Sequence, residues 1–263
     1  MVDVAALLTD LKDESADLDR LVADLPEDRW SAPTPAAGWS IAHQIAHLAW
    51  TDHATVLSAT DPEGFAAQLA KAAANPEGYV DRGAEEFLDE PALLLDRWRA
   101  GREALTEALS AAPPGAKLPW YGPPMAVGTM VTARIMETWA HGQDVADALA
   151  VVREPTARLR HVAHLGLRTM AYGFIAHDRP APTTPVRLEL AGPDGAPWSL
   201  GPDDATELVS GTALDFCLLV TQRRNRADLT LVASGPTADE WLDVAQCFAG
   251  PPGPGRPPAA DPS

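Results

Sequence analysis

Between Val4 and Leu149, apolar residues recur at helical spacing in four long stretches, the first three closed by proline or glycine. An apolar stripe on a helix can be buried only against other elements, so four such stretches in succession dictate a helical bundle. Val4, Leu7, Leu8, Leu11, Leu18, Leu21 and Val22 mark a first helix that Pro26 stops. Ser31 to Gly38 is a proline- and glycine-punctuated loop, and Ser40 is placed to cap a second helix from Ile41 to about Ala59. Asp61-Pro62 opens a continuation or a short new helix through Ala74, which Asn75-Pro76-Glu77-Gly78 breaks. A third helix begins at Glu90-Pro91, carries Leu94, Leu95, Trp98, Leu105 and Leu109, and ends before Pro113-Pro114-Gly115. A fourth is expected from about Met125 to Leu149 and a fifth from Thr156 to His177. Trp120 and Tyr121 in the intervening Pro/Gly loop predict that this loop packs over something.

Composition then shifts. Asp178 to Pro185 reads as a linker, and Val186 to Leu190 alternates as a strand does. The turn at Pro193-Asp194-Gly195, strands at Trp198–Leu200, Thr206–Val209 and Leu229–Val232, and helices over Gly211–Gln222 and Thr237–Phe248 describe a small α+β domain. The expected divisions are a helical bundle over 1–177, the α+β domain over 186–249 and a disordered Pro/Gly-rich tail over 250–263.

A formal charge of −17 repels phosphate backbones, and no basic patch with interleaved aromatics offsets it, so nucleic-acid partners are not expected. No apolar run reaches the length of a membrane span and no signal-peptide pattern opens the chain, so a cytoplasmic protein with no membrane partner is expected. Cys217 and Cys247 form no CxxC pair and read as small buried apolar residues. GxGxxG, P-loop, GxSxG and HExxH motifs are absent.

The chemistry is concentrated on the second and fourth helices. Glu137 and His141 are four apart and share one face, on a stripe with Met130, Arg134 and Asp144; Val131, Ile135, Trp139 and Leu149 face the other way. That pair alone equally describes a solvated helix face. His43 and His47 are also four apart, and their stripe continues through Trp50, Ala54 and Leu57, which is not a solvent-facing set. Two inward-capable pairs in one bundle point to a divalent metal. Imidazole with carboxylate suits Zn²⁺ best, with Ni²⁺, Fe²⁺ or Mn²⁺ as alternatives. Three protein ligands would leave a position open for water or substrate. His161 and His164, three apart on the fifth helix, are weaker candidates, and His177 is expected at the surface.

At these residues the chain resembles a known family. Gly38-Trp39-Ser40-Ile41-Ala42-His43-Gln44-Ile45-Ala46-His47-Leu48 is similar to the second helix of the DinB-like superfamily, and Glu137-Thr138-Trp139-Ala140-His141-Gly142-Gln143-Asp144 to its fourth helix, in the branch that holds the mycothiol-dependent maleylpyruvate isomerases. Pro119 to Pro124 with Gly211 to Cys217 resembles an actinobacterial subgroup rather than the isomerases themselves. The resemblance implies a four-helix bundle followed by a sterol-carrier-like α+β domain. It implies a metal held by His47, Glu137 and His141, with His43 as second candidate, and a thiol cofactor such as mycothiol. It also implies an assisting arginine in the C-terminal domain, for which Arg223 and Arg224 are the nearest counterparts. The resulting expectation is a thiol-dependent isomerase or S-transferase, monomeric or homodimeric, acting on a small carboxylated electrophile, with a non-catalytic metal- or ligand-binding protein as the alternative. Asp144 would orient His141 or another ligand, and Trp50, Trp120 and Tyr121 would wall the cofactor pocket.

Overall fold

The Asp3 carboxylate accepts from the Ala5 and Ala6 amides and so starts helix α1, Val4–Val22. The computed structural model describes residues 3–76 and 78–259. After a 3₁₀ turn at Glu27–Ser31 come α2, Ile41–Thr60, and α3, Pro62–Ala74. Asp61 caps α3 by accepting from the Gly64 amide, and Pro62 occupies its first turn, where a missing N–H costs nothing. Next are α4, Tyr79–Phe87; α5, Pro91–Ala111; a hairpin of β1, Lys117–Leu118, with β2, Met125–Ala126; and α6, Val127–Leu149. Ala150 ends α6 in a left-handed conformation at φ 56°.

Helices α1, α2, α5 and α6 form the expected four-helix bundle: α2 packs on α5 and α6, and α1 packs on the same two. Its interior is layered. Leu18, Ile45, Leu48, Leu94, Trp98 and Val145 form one apolar cluster. Leu8, Leu11, Leu105, Leu109, Val131 and Ile135 form another. Along each helix the residues between these clusters are polar and buried: Glu14, Asp52 and Arg134 are each no more than 2% exposed. Asp52 Oδ2 accepts from Arg102 Nε at 3.0 Å and its Oδ1 from Arg134 Nε at 3.2 Å, so one carboxylate ties α2 to α5 and α6. Arg102 also donates to Thr138 and lies 4.8 Å over the Trp98 ring, while Arg153 donates to Glu14 and to the Trp139 carbonyl.

The sequence pattern left α4 unassigned. Nine residues between two breaks are too few to hold a helix without packing. The packing comes from Gly83: a Cβ there would sit 2.4 Å from the Trp50 indole, so only glycine lets α4 close on α2. Met125, expected to begin the fourth helix, is instead in β2.

The chain divides into two compact units, Met1–Arg153 and Glu154–Ser263. The expected fifth helix therefore belongs to the second unit, where Gly166 lets Val220 and Phe216 approach within about 3 Å of its Cβ position. That helix is also broken, into α7, Leu159–Arg168, and α8, Met170–Ala176. Thr169 between them departs from helical geometry while its hydroxyl bonds to the Leu165 carbonyl and to the Gln246 carbonyl. The rest of the unit is β3, Val186–Ala191; β4, Pro197–Leu200; β5, Glu207–Thr212; α9, Ala213–Val220; β6, Val232–Ser234; and α10, Pro236–Val244. The sheet order is β4-β3-β5-β6, with β3 and β5 parallel and the outer pairs antiparallel. This is the small α+β fold expected, with Gly211 and Thr212 in β5 instead of opening the helix, the last strand starting at Val232 instead of Leu229, and the final helix ending at Val244 instead of Phe248. In the tail, residues 250–259 form neither helix nor strand, yet Asn225 donates to the Arg256 carbonyl and Asp228 accepts from the Ala259 amide. Residues 260–263 lie outside the described part.

Removing the carboxylate at the centre of the polar layer would strand two buried guanidinium groups. Asp52→Ala is expected to cost about 3–5 kcal/mol, the range for breaking a buried ion pair from one side. Urea denaturation at neutral pH measures it, and a loss below about 1 kcal/mol, as for a surface pair, would contradict the role given to Asp52.

Candidate metal centre

His47 sits on the second turn of α2, and Glu137 and His141 on successive turns of α6. α2 and α6 are held in register one turn away. Arg134 Nη2 donates to Thr51 Oγ1 at 2.7 Å, and the Thr51 hydroxyl donates to the His47 carbonyl at 2.8 Å. The buried guanidinium thereby links the turn carrying His47 to the turn preceding Glu137.

In this setting the three side chains converge. His47 Nε2 lies 3.4 Å and His141 Nε2 3.2 Å from the same atom, Glu137 Oε2, and the two imidazole centroids are 4.4 Å apart. All three potential donor atoms lie within 4.8 Å of one another. Ligand bonds of about 2.0–2.2 Å in a tetrahedral site place donor atoms about 3.3–3.6 Å apart, close to the two distances to Glu137 Oε2, so the set fits a first-row divalent cation with small side-chain adjustments. The side chains retain 9%, 20% and 12% exposure for His47, Glu137 and His141, enough to leave one side approachable. Burial works to raise the Glu137 pKa, but hydrogen bonds from His141 and His47 and the nearby Arg134 charge outweigh it and hold the carboxyl well below the usual range. Glu137 is therefore an anion at neutral pH. Its stabilising contribution is complete above the ordinary carboxylate range and is lost as pH falls through the depressed value.

The structure separates the two candidate histidines of α2. His43 Nδ1 accepts from the Ser40 hydroxyl at 2.8 Å and from the Ser40 amide at 3.3 Å, so His43 serves the start of the helix. His47 faces Glu137.

Two neighbours of the site escaped the sequence reading. Gln44, fully buried, places Oε1 2.5 Å from His141 Nδ1. Asp144, the residue expected from the sequence to give such support, is buried on α6. The signal for Gln44 was its place three residues before His47, on the same helical face. Trp39 lies with its ring 6.0 Å from that of His141, near-parallel at 21°, and 5.2 Å from that of His47; its indole N–H donates to Asp81. Of the expected aromatic wall, Trp50 is 5.8 Å from the His47 ring and Tyr121 is 6.1 Å from Trp50. Trp120 is further out in the cluster, stacked on Phe65 and against Tyr121. Burial, reinforced by Tyr79, raises the Tyr121 pKa, so its hydroxyl stays protonated.

Arg223 and Arg224 belong to the second unit. Their guanidinium groups donate to the Thr221 and Arg223 carbonyls respectively. Arg224 also lines a cavity of about 250 Å³ with Arg226 and Arg256.

A helical bundle with a His–Glu–His cluster on two neighbouring helices defines the class, and comparison with known proteins is consistent with it. Residues 11–146 match the family model for the mycothiol maleylpyruvate isomerase N-terminal domain, and the chain belongs to that family. Residues 182–234 match a model described as wyosine base formation. Proteins described as uncharacterized, from the CDC 1551 / Oshkosh and ATCC 25618 / H37Rv strains of Mycobacterium tuberculosis, are 55% identical over 257 residues, 97% of this chain and 100% of theirs. The crystal structure of the mycothiol-dependent maleylpyruvate isomerase superposes with a TM-score of 0.58 at 15% identity, covering 90% of this chain and 96% of that one. A mutant of that enzyme gives a TM-score of 0.57 at 16% identity, with the same coverage. Among the described residues, no helix is long and apolar enough to cross a membrane.

Substitution separates the two histidines of α2. His43→Ala is expected to cost about 0.5–2 kcal/mol in stability through the lost cap, without altering Zn²⁺ binding. His47→Ala should abolish Zn²⁺ binding while leaving the melting temperature of the metal-free protein close to wild type. Equilibrium dialysis and thermal melts of both variants check this, and the reverse pattern would reassign the ligand.

Proposed function

We propose that His47, Glu137 and His141 hold a divalent metal, Zn²⁺ by the chemistry of the donor set, in an enzyme that uses a low-molecular-weight thiol. The observation that carries the reading is the convergence of both imidazole Nε2 atoms on a single carboxylate oxygen. Two imidazole nitrogens and a carboxylate oxygen gathered at one point can share a single cation there. Gln44 Oε1 at the far nitrogen of His141 favours keeping that proton on Nδ1 and offering Nε2 to the ion. Family membership supports mycothiol as the thiol, and the solved relative's name supports isomerisation as the reaction class.

When bound, the metal would supply Lewis acidity that lowers the pKa of a coordinating thiol, giving a nucleophilic sulfur at neutral pH. The chain's own contribution is positioning. Glu137 brings the negative charge that favours a dication over protons at this point. Arg134, through Thr51, fixes the turn of α2 that carries His47. Trp39 and Trp50 flank the imidazole rings and exclude water from one side of the site. The substrate we infer is a small electrophile with a conjugated alkene, attacked by sulfur and released after bond rotation as its geometric isomer. Retention of the sulfur would make the reaction an S-transfer.

Elemental analysis of the purified protein beside Glu137→Ala, with turnover of maleylpyruvate and mycothiol followed for both, tests the reading. About one metal per chain and measurable turnover are expected for the wild type, and loss of both for the variant. A wild-type protein that binds no divalent metal would overturn it. Metal without thiol-dependent turnover of any conjugated alkene would reduce it to a binding site.

A further inference from the structure

His141 has two ring nitrogens with different surroundings from those of His47. Its Nε2 faces Glu137, and its Nδ1 lies 2.5 Å from Gln44 Oε1. The hydrogen bonds around the Gln44 amide argue for its orientation. Its Nε2 donates to Thr34 Oγ1 at 2.8 Å, and the Thr34 hydroxyl donates to the Trp39 carbonyl at 2.9 Å. Since the hydroxyl proton is committed to Trp39, Thr34 presents only lone pairs to Gln44, and the NH₂ end of the amide must point at it. That leaves Oε1, an acceptor, toward His141, and an acceptor at this distance demands a proton on Nδ1. The chain Trp39–Thr34–Gln44–His141 runs from the loop before α2, through α2, to α6. Gln44 is fully buried, so no water competes for its amide. His47 differs: its Nδ1 is buried and, among the described residues, forms no hydrogen bond.

We propose that Gln44 is a positioning residue. It accepts a hydrogen bond from His141 Nδ1, so that Nε2 is the nitrogen turned to the metal-binding point. The site is therefore asymmetric, with His141 the preset donor and His47 the adjustable one. The effect on metal affinity rests on the metal reading above; the location of the proton does not.

The test has two readouts on the full chain. In metal-free protein, the ¹⁵N resonances of the His141 ring report which nitrogen is protonated. Wild type should show a protonated Nδ1 with a slowly exchanging proton; Gln44→Met, which keeps the length and removes the acceptor, should show that proton exchanging rapidly or absent. Zn²⁺ affinity, measured by competition with a chelating dye, should weaken about 10- to 100-fold in Gln44→Met, the usual cost of removing a hydrogen bond behind a metal ligand. Gln44→Glu keeps an acceptor toward His141 and, with the Thr34 hydroxyl proton turned from Trp39 to the new carboxylate, should recover most of the affinity, which a role confined to packing would not produce. An unprotonated Nδ1 in the wild type overturns the proposal without need of any variant. Unchanged exchange and unchanged affinity in Gln44→Met also overturn it. If the wild type binds no Zn²⁺, the metal reading fails, and the ¹⁵N spectrum still decides the role of Gln44.

Discussion

The buried carboxylate of Asp52, shared between Arg102 and Arg134, is the interaction on which the rest of the bundle depends. Three helices supply its members, and the side chains are almost fully removed from water. Charges so placed are costly to desolvate and favourable only in one arrangement, so the cluster rewards a single alignment of α2, α5 and α6. An all-apolar interior would tolerate sliding of one helix past another with little penalty. Here, a slip of one turn would break both ion pairs and the bond from Arg134 to Thr51.

That alignment delivers the site. Arg134 and Glu137 are adjacent turns of one helix, and Thr51 and His47 adjacent turns of its neighbour. The polar layer between two apolar clusters thus extends directly into the His–Glu–His cluster. The aromatic rings about it depend on small residues as much as on one another, since Gly83 alone lets α4 lie against Trp50. The fold is shared with the maleylpyruvate isomerase at 15% identity, and a fold at that distance does not specify a substrate. What it does carry is a bundle in which facing helices can aim side chains at one ion.

The parts of the chain that were legible are those where local chemistry and long-range packing agree. Strong periodicity with proline and glycine at the ends marked α1, α2, α5 and α6. The i,i+4 spacing of Glu137 and His141 marked one half of the site, because that relation holds on any helix. The illegible parts are those where a distant residue decides. The fifth helix breaks at Thr169 because its hydroxyl reaches the carbonyl of Gln246, far along the chain. α4 exists because Trp50 needs a cover that only Gly83 can bring close.

The sequence by itself determined the helical bundle, the following α+β unit, the acidic surface and a short roster of candidate ligands. It could do so because periodicity, turn residues and charge are properties of neighbours along the chain. The family resemblance already points to His47 over His43, and the tertiary structure supplies the physical difference: both lie on the same stripe, but one meets Ser40 at the helix start and the other Glu137 on another helix. The tertiary structure alone revealed Gln44 behind His141, and Arg134 as an interior charge instead of a solvated one. Those assignments rest on contacts between residues some 80 to 100 positions apart, and no local pattern encodes which of two faces a partner helix will cover.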